Sequence, residues 1–444
     1  ATAPPPNYEH EGIQPPLYYA SAALFTRALA APLGLDLSAE ALGAPLDKNP
    51  HTVCGRAGAS HNVAYLAHDP HEMRFPYARR VRVLHVVRLW SSLLATATIA
   101  GIFATARAIF PQRLEIAWLA AVLTALTPEF LFTAGAASND NLVTALATWS
   151  VYVAVRTLQR GATWRRTLLS GVLAGLTTLS KFSGVMLFPL AGLAIFLFEI
   201  KPAAASDALA IPVRVRDRLP ALLRHAALLL AIFGALTGWW FLRNYQLYGD
   251  LTGTAPMLAQ LPLREHVSVW TLIRELPGLF QSWWGVFGCT KPPLGFYLFY
   301  AVIVAGGLAG LVRDGRALWR EHAFEVVLLL LWLALMLIAY VRWNWVIHAP
   351  KGRLLYPTMV TIACALGYGW RAWTRRARWL TGALVGAMAL VAVVMPFAVM
   401  LPPVTPPPIY ADAADVTPQH PMAHAFGSEI TLLGYDLSAR SFEP

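Results

Sequence analysis

Charge is what this chain has least of. Only 13% of its 444 residues are Asp, Glu, Lys or Arg, against roughly 25% in an ordinary soluble domain. Cysteine is scarce too: Cys54, Cys289 and Cys364 make no metal-ligand spacing and no disulfide framework. Cys364 sits in an apolar run and reads as packing; Cys54 and Cys289 pair only if two distant loops meet. No internal repeat is visible, and the long apolar runs are nearly free of charge. Both absences count against a transporter built from inverted repeats or intramembrane ion sites. No initiator Met, signal peptide or first span precedes Ala1, and the chain stops soon after the strand-like Leu433-Gly434-Tyr435-Asp436-Leu437. The sequence therefore reads as a fragment missing both ends.

What remains is apolar: 57% of the residues are hydrophobic and the mean hydropathy is +0.51. The few charges crowd into short clusters separated by runs close to the roughly 20 helical residues a bilayer core requires. The fold class is an all-α polytopic membrane protein of about ten spans, drawn at 83–106, 115–135, 141–157, 167–182, 184–199, 222–242, 295–312, 323–341, 354–370 and 379–401. Around them lie an external loop with an interfacial helix (1–82) and a Pro-rich linker leading into an external β-domain (402–444). The stretch from Pro15 to Leu33 reads as lying at the membrane surface, with Tyr18 and Tyr19 at headgroup level.

The net charge of +11 does not point to nucleic acid, because the Arg clusters flank apolar spans instead of lining one amphipathic face. Short loops carrying Arg107 and Arg113; Arg156, Arg160, Arg165 and Arg166; Arg313, Arg316 and Arg320; and Arg371, Arg375 and Arg376, with the longer one holding Lys201, Arg214 and Arg218, alternate with loops richer in His, Trp and acids. The basic set is cytoplasmic by the positive-inside rule, and the other set faces outward.

Three outward segments place polar groups beside apolar spans. Glu9-His10-Glu11 and Gln14 precede the Pro15-Pro16 pair, and their acids suit a general base or a divalent cation. Ser138-Asn139-Asp140-Asn141 reads as a helix N-cap, although an acid at membrane depth can also serve chemistry. Lys181, Arg243, Lys351 and Arg353 each lie at an outer edge. Singly they read as snorkelling side chains; together on one face they make a site for a lipid phosphate. His68-Asp69-Pro70-His71-Glu72 has metal-ligand residue types but no second contributing segment. His85 and Arg88 read as interfacial anchors.

Six motifs occur in order: Glu11-x-x-Gln14-Pro15-Pro16-Leu17-Tyr18-Tyr19, Arg88-Leu89-Trp90-Ser91, Asn139-Asp140, Leu179-Ser180-Lys181-Phe182-Ser183-Gly184, Arg243-Asn244-x-x-x-Tyr248-Gly249-Asp250 and Gly352-Arg353-Leu354-Leu355-Tyr356-Pro357. Together they resemble the bacterial multi-spanning glycosyltransferases of the C-type fold, the superfamily of protein O-mannosyltransferases and aminoarabinose transferases. The resemblance implies transfer of a sugar from a polyprenyl-phosphate donor at the outer face of the bacterial inner membrane. It implies a catalytic Asp upstream of Ala1, Glu11 beside the active site, and Arg353 and Tyr356 at the lipid phosphate. Gln14 stands where some relatives carry Lys. The resulting expectation is a cavity with Glu11 and Asp140 as catalytic groups and Gln14, Lys181, Arg243, Lys351, Arg353 and Tyr356 as substrate contacts. A divalent metal ion and further membrane subunits are compatible partners, and a non-catalytic scaffold descended from the same family is the alternative.

Overall fold

The computed structural model describes residues 13–43, 46–48, 65–67, 70–200, 211–259, 261–288, 290–377, 379–402, 417–426 and 430–435. Helices α1 (Leu17–Leu33) and α2 (Ala39–Gly43) precede an antiparallel pair, β1 (Leu46–Lys48) with β2 (Tyr65–Ala67). The bundle then runs α3 (Arg79–Ile109), α4 (Leu114–Ala125), α5 (Pro128–Ala134), α6 (Asn139–Arg160), α7 (Trp164–Ser180), α8 (Leu187–Ile200) and α9 (Ile211–Tyr248). Short helices α10 (Thr254–Leu258), α11 (Val269–Arg274) and α12 (Leu276–Trp284) cap one end. Helices α13 (Leu294–Val346), α14 (Met359–Thr374) and α15 (Trp379–Met395) complete the bundle. An antiparallel hairpin follows, β3 (His420–Phe426) with β4 (Ile430–Tyr435), where the sequence reads as a strand.

Among the described residues five helical stretches are long and apolar enough to cross a membrane: Arg79–Ile109, Phe182–Ile200, Asp217–Tyr248, Leu294–Val346 and Trp379–Met400. The bent pair of α4 and α5 makes a sixth. The chain is a multi-pass membrane protein. The drawn spans 141–157, 167–182 and 354–370 coincide with α6, α7 and α14, which fall outside that set. Helix α6 lies inside the bundle and buries Thr144, Thr148, Ser150 and Thr157, so its sequence need not be lipid-like. Helices α7 and α14 are 17 and 16 residues long.

Three boundaries differ from the sequence reading. The span 115–135 is broken by a 66° bend. Pro128 forces it, since proline offers no amide and drives Thr127 (φ −78, ψ 115) out of the helical region. Helix α9 begins at Ile211, eleven residues before the expected 222, because Arg214, Arg216 and Arg218 are good helix formers in water. The spans 295–312 and 323–341 are two arms of α13, interrupted only at His322 (φ −138, ψ 29). The loop expected at Arg313–Arg320 is helix for the same reason.

The two arms of α13 run in opposite directions along α14. On the first, a Cβ at Gly310 would stand 1.9 Å from the Gly369 carbonyl. Only glycine permits that approach. Trp370 and Trp373 donate their indole N–H groups to the Ile303 and Gly306 carbonyls, both at 2.9 Å. On the second arm Trp332 donates to the Pro357 carbonyl at 3.0 Å. Helix α1 lies against α3 through one face: Tyr18 and Ser91 share a hydrogen bond of 2.8 Å, and Trp90 donates to Ser21 at 3.2 Å.

The bundle has two chemically distinct ends. Helix α6 starts at one of them, with Asp140, and carries Gln159 to the other, about 30 Å away at 1.5 Å per residue. At the Gln159 end Arg113 pairs with Glu321 at 2.7 Å, Arg371 with Glu115 at 2.5 Å and Arg375 with Asp314 at 3.1 Å. Arg113, Arg313, Arg371 and Arg375 of the short basic loops therefore stand at one end, while Lys201 lies outside the described residues.

Candidate active site

The opposite end is organised around Asp140. Ser138 caps α6 by accepting the Asp140 N–H at 3.2 Å. Asn141 then closes the turn by donating to the Thr133 carbonyl at 2.9 Å. This fixes Asp140 in the first turn of α6, where it is only 4% exposed. The Lys181 ammonium meets one of its oxygens at 2.5 Å, and Arg353 Nε lies 3.5 Å from the other. Burying a carboxylate is costly unless it is paired, and here two cations answer one acid. Their own side chains stay partly open, 23% exposed for Lys181 and 42% for Arg353.

Each cation is held by a backbone that needs glycine. Lys181 ends α7, and the chain then folds back so tightly that a Cβ at Gly184 would stand 2.4 Å from the Thr177 carbonyl carbon. Arg353 lies on the 3₁₀ turn Gly352–Thr358. A Cβ at Gly352 would stand 2.5 Å from the Trp283 backbone. The Gly352 N–H donates to Ser282 at 2.7 Å, and Ser282 donates to the Pro350 carbonyl at 3.0 Å. The turn bearing Arg353 is thus laced to the end of α12.

The other expected residues fall into place unequally. Gln14 accepts a short hydrogen bond from Asn139, beside Asp140. Tyr356 is fully buried and donates to the Trp283 carbonyl at 3.4 Å. Its ring meets Trp283 edge-on, so it braces the turn from below instead of facing solvent. Arg243 lies over Trp240 at 4.8 Å and donates to Asn244 at 3.0 Å. It makes no ion pair with Asp140 among the described residues. Its segment still reaches the same end, since a Cβ at Gly253 would meet both Asn244 and Ile13, the neighbour of Gln14. Lys351 is exposed at the start of the 3₁₀ turn. Glu11 and the Glu9-His10 pair lie outside the described residues, as do His68 and Asp69.

Glu72 is committed to Arg79 and Arg80, both at 3.6 Å, and His85 is stacked on Tyr77. No three His, Cys, Asp or Glu side chains stand close enough to hold a metal ion among the described residues.

Glu129 is the site residue that sequence reasoning missed. It follows the Pro128 bend, is 6% exposed, and accepts the Val286 N–H at 2.8 Å. Its carboxylate lies within electrostatic reach of Arg353. Glu129 lies deep inside the apolar run 115–135 with no charged neighbour in sequence to flag it, and its amide partner lies 157 positions away. Outside the bundle, partial burial works to raise the Asp250 carboxyl, but hydrogen bonds from the Ala255 and Thr252 amides outweigh it and hold the group below its ordinary value.

Fold and site together define a polytopic helical membrane protein with a buried acid paired to two partly exposed cations at one end of its bundle. Residues 81–210 match the family of dolichyl-phosphate-mannose-protein mannosyltransferases, so the resemblance carried by the ordered motifs holds over that stretch. Similar solved structures include ArnT from Cupriavidus metallidurans in the apo state, 14% identical with a TM-score of 0.43, covering 85% of this chain and 65% of that one. The archaeal oligosaccharyltransferase AglB from Archaeoglobus fulgidus, in complex with an inhibitory peptide and a dolichol-phosphate, is 14% identical with a TM-score of 0.41, covering 87% and 50%. The same organism's oligosaccharyltransferase tethered with an acceptor peptide is 15% identical with a TM-score of 0.40, covering 75% and 44%. This chain spans less than two thirds of the length of each. No curated protein matches it.

Proposed function

We propose that the chain is a membrane glycosyltransferase that moves a sugar from a polyprenyl-phosphate donor to an acceptor hydroxyl. We place the reaction at the outer face of a bacterial inner membrane, with ten spans and the basic loops inside. The observation that carries this reading is the pairing of one buried carboxylate, Asp140, with two partly open cations, Lys181 and Arg353. Snorkelling cations have no reason to share an acid; a phosphate site does.

In the reaction the acceptor oxygen attacks the anomeric carbon, the bond from that carbon to the phosphate oxygen breaks, and its electron pair leaves with the phosphate. The acceptor proton passes to a base. Lys181 and Arg353 stabilise the charge gathering on the departing phosphate. Asp140, with both oxygens engaged by cations, is poorly placed to accept a proton. We assign it to holding the two cations, and leave the base to an acid such as Glu11. The phosphate is already a good leaving group, so no second carboxylic acid is needed, in contrast to glycoside hydrolysis.

The test is transfer from a polyprenyl-phosphate sugar by the purified chain in lipid, with Lys181→Ala and Arg353→Ala beside the unaltered protein. Both variants should fold and lose at least about tenfold in rate, the equivalent of one charge-assisted hydrogen bond. Full activity in Arg353→Ala would overturn the assignment.

A further inference from the structure

The Asp140 pair leaves one charge of the site unexplained. Lys181 and Arg353 bring two positive charges and Asp140 one negative. The remaining negative charge is Glu129, within electrostatic reach of Arg353; its neighbour Phe130 meets the ring of Tyr356, on the same turn as Arg353, at 6.1 Å. Tyr356 marks the place, being within electrostatic reach of Glu129, Asp140 and Arg353 together; Tyr297 also faces Glu129. Glu129 forms no ion pair within 4.0 Å among the described residues. It is fixed by the Val286 N–H at 2.8 Å, and Tyr297 secures the same loop by donating to the Gly285 carbonyl at 2.7 Å. The acid is therefore anchored near Arg353 by backbone and not consumed by a cation.

That placement matters because donor and product differ in charge. A polyprenyl-phosphate sugar is a phosphodiester with one negative charge. The lipid phosphate left after transfer is a monoester, which takes a second charge above its second pKa of about 6. A fixed carboxylate close to Arg353 repels a dianion about twice as strongly as a monoanion, in surroundings where screening is weak. We propose that Glu129 makes the cation pair discriminate against the monoester product, so that the spent lipid phosphate is released and not retained. The inference rests on the phosphate site proposed above.

The experiment measures binding to the full chain in lipid nanodiscs of two probes, farnesyl phosphate and its methyl phosphodiester, near pH 8. Glu129→Gln keeps an acceptor for the Val286 N–H while removing the charge. It should tighten the monoester by about threefold to tenfold more than the diester, the scale expected of one nearby charge in a partly screened site. The excess should vanish near pH 5, where both probes carry a single charge. Equal effects on the two probes, with Arg353→Ala still weakening both, would overturn the role of Glu129 alone. Unchanged binding in Arg353→Ala would overturn the phosphate site and this inference with it. Should the Gln variant fail to fold, Glu129→Ala takes its place, and the extra tightening of the monoester over the diester should again appear at pH 8 and vanish near pH 5. A flat profile would refute the proposal.

Discussion

At one end of the bundle Glu321 and Glu115 hold Arg113 and Arg371 with carboxylates that are 45% and 49% exposed, while the arginines are the more buried partners; Asp314, 14% exposed beside Arg375 at 41%, departs from this order. At the other end the order is reversed: Asp140 is buried and Lys181 and Arg353 carry the exposure. An exposed acid is already solvated, so its pairing contributes little and mostly registers one helix against the next. A buried acid beside partly open cations fixes two donors that stay partly exposed. Under the function proposed above, such an end receives an anion. The same kinds of side chain thus do different work according to which partner is inside.

Asp140→Ala should have the largest effect on this contrast, because it leaves two cations around a buried position without a counter-charge. Breaking a buried pair costs about 3 kcal/mol, and transfer should be abolished; denaturation monitored alongside activity checks both. Gly352→Ala comes next. Its new Cβ meets the Trp283 backbone at 2.5 Å, and overpacking of this kind costs about 1–3 kcal/mol while pushing Arg353 off Asp140. Gly315→Ala, near the basic end, has nothing within 4 Å of its Cβ and lies inside a helix. It should be neutral or slightly stabilising, by up to about 1 kcal/mol. If the two glycine variants behaved alike, the turn bearing Arg353 would not be the constrained element we describe.

Much of this contrast is legible in the sequence, for reasons that also explain what is not. Lys181, Asp140 and Arg353 stand out because an isolated charge beside an apolar run is expensive and needs a cause. The gathering of the basic loops follows from their spacing. Glu129 is not legible in this way, since nothing nearby in the chain announces Val286 or Arg353 as its neighbours. Tyr356 illustrates the reverse case: its motif suggests contact with substrate, yet the packing of Trp283 and Phe130 takes its ring into the core. The bend before Pro128 was announced by the proline, whose signal is outweighed by the hydropathy of the run around it. The loop expected between 312 and 323 is helix up to His322, because Arg313, Arg316 and Arg320 look like a loop by charge although they favour helix by propensity.

At the basic end, Arg371→Ala removes a pair with a half-exposed acid. Its cost should stay below about 1 kcal/mol and should fade in high salt, leaving transfer unchanged. A loss of activity comparable to Arg353→Ala would erase the distinction between the ends.

The smallest effect belongs to Asp250, in the turn that follows α9 and leans on Ile13. Its carboxylate accepts the Thr252 and Ala255 N–H groups at 3.0 and 2.9 Å, and these bonds, overcoming partial burial, hold its folded pKa below the ordinary value. A depressed folded pKa means that the carboxylate stabilises the turn above the unfolded pKa of about 4. That contribution is lost as the pH falls through the folded value. Asp250→Asn should therefore lower the melting temperature slightly at neutral pH, and the two proteins should converge in strong acid. Because the turn touches the segment carrying Gln14, the same variant should loosen the Asp140 end alone. Hydrogen exchange in residues 13–16 should rise while that of α14 stays fixed. Divergence of the two melting curves at low pH would show that Asp250 acts through something other than its ionised form.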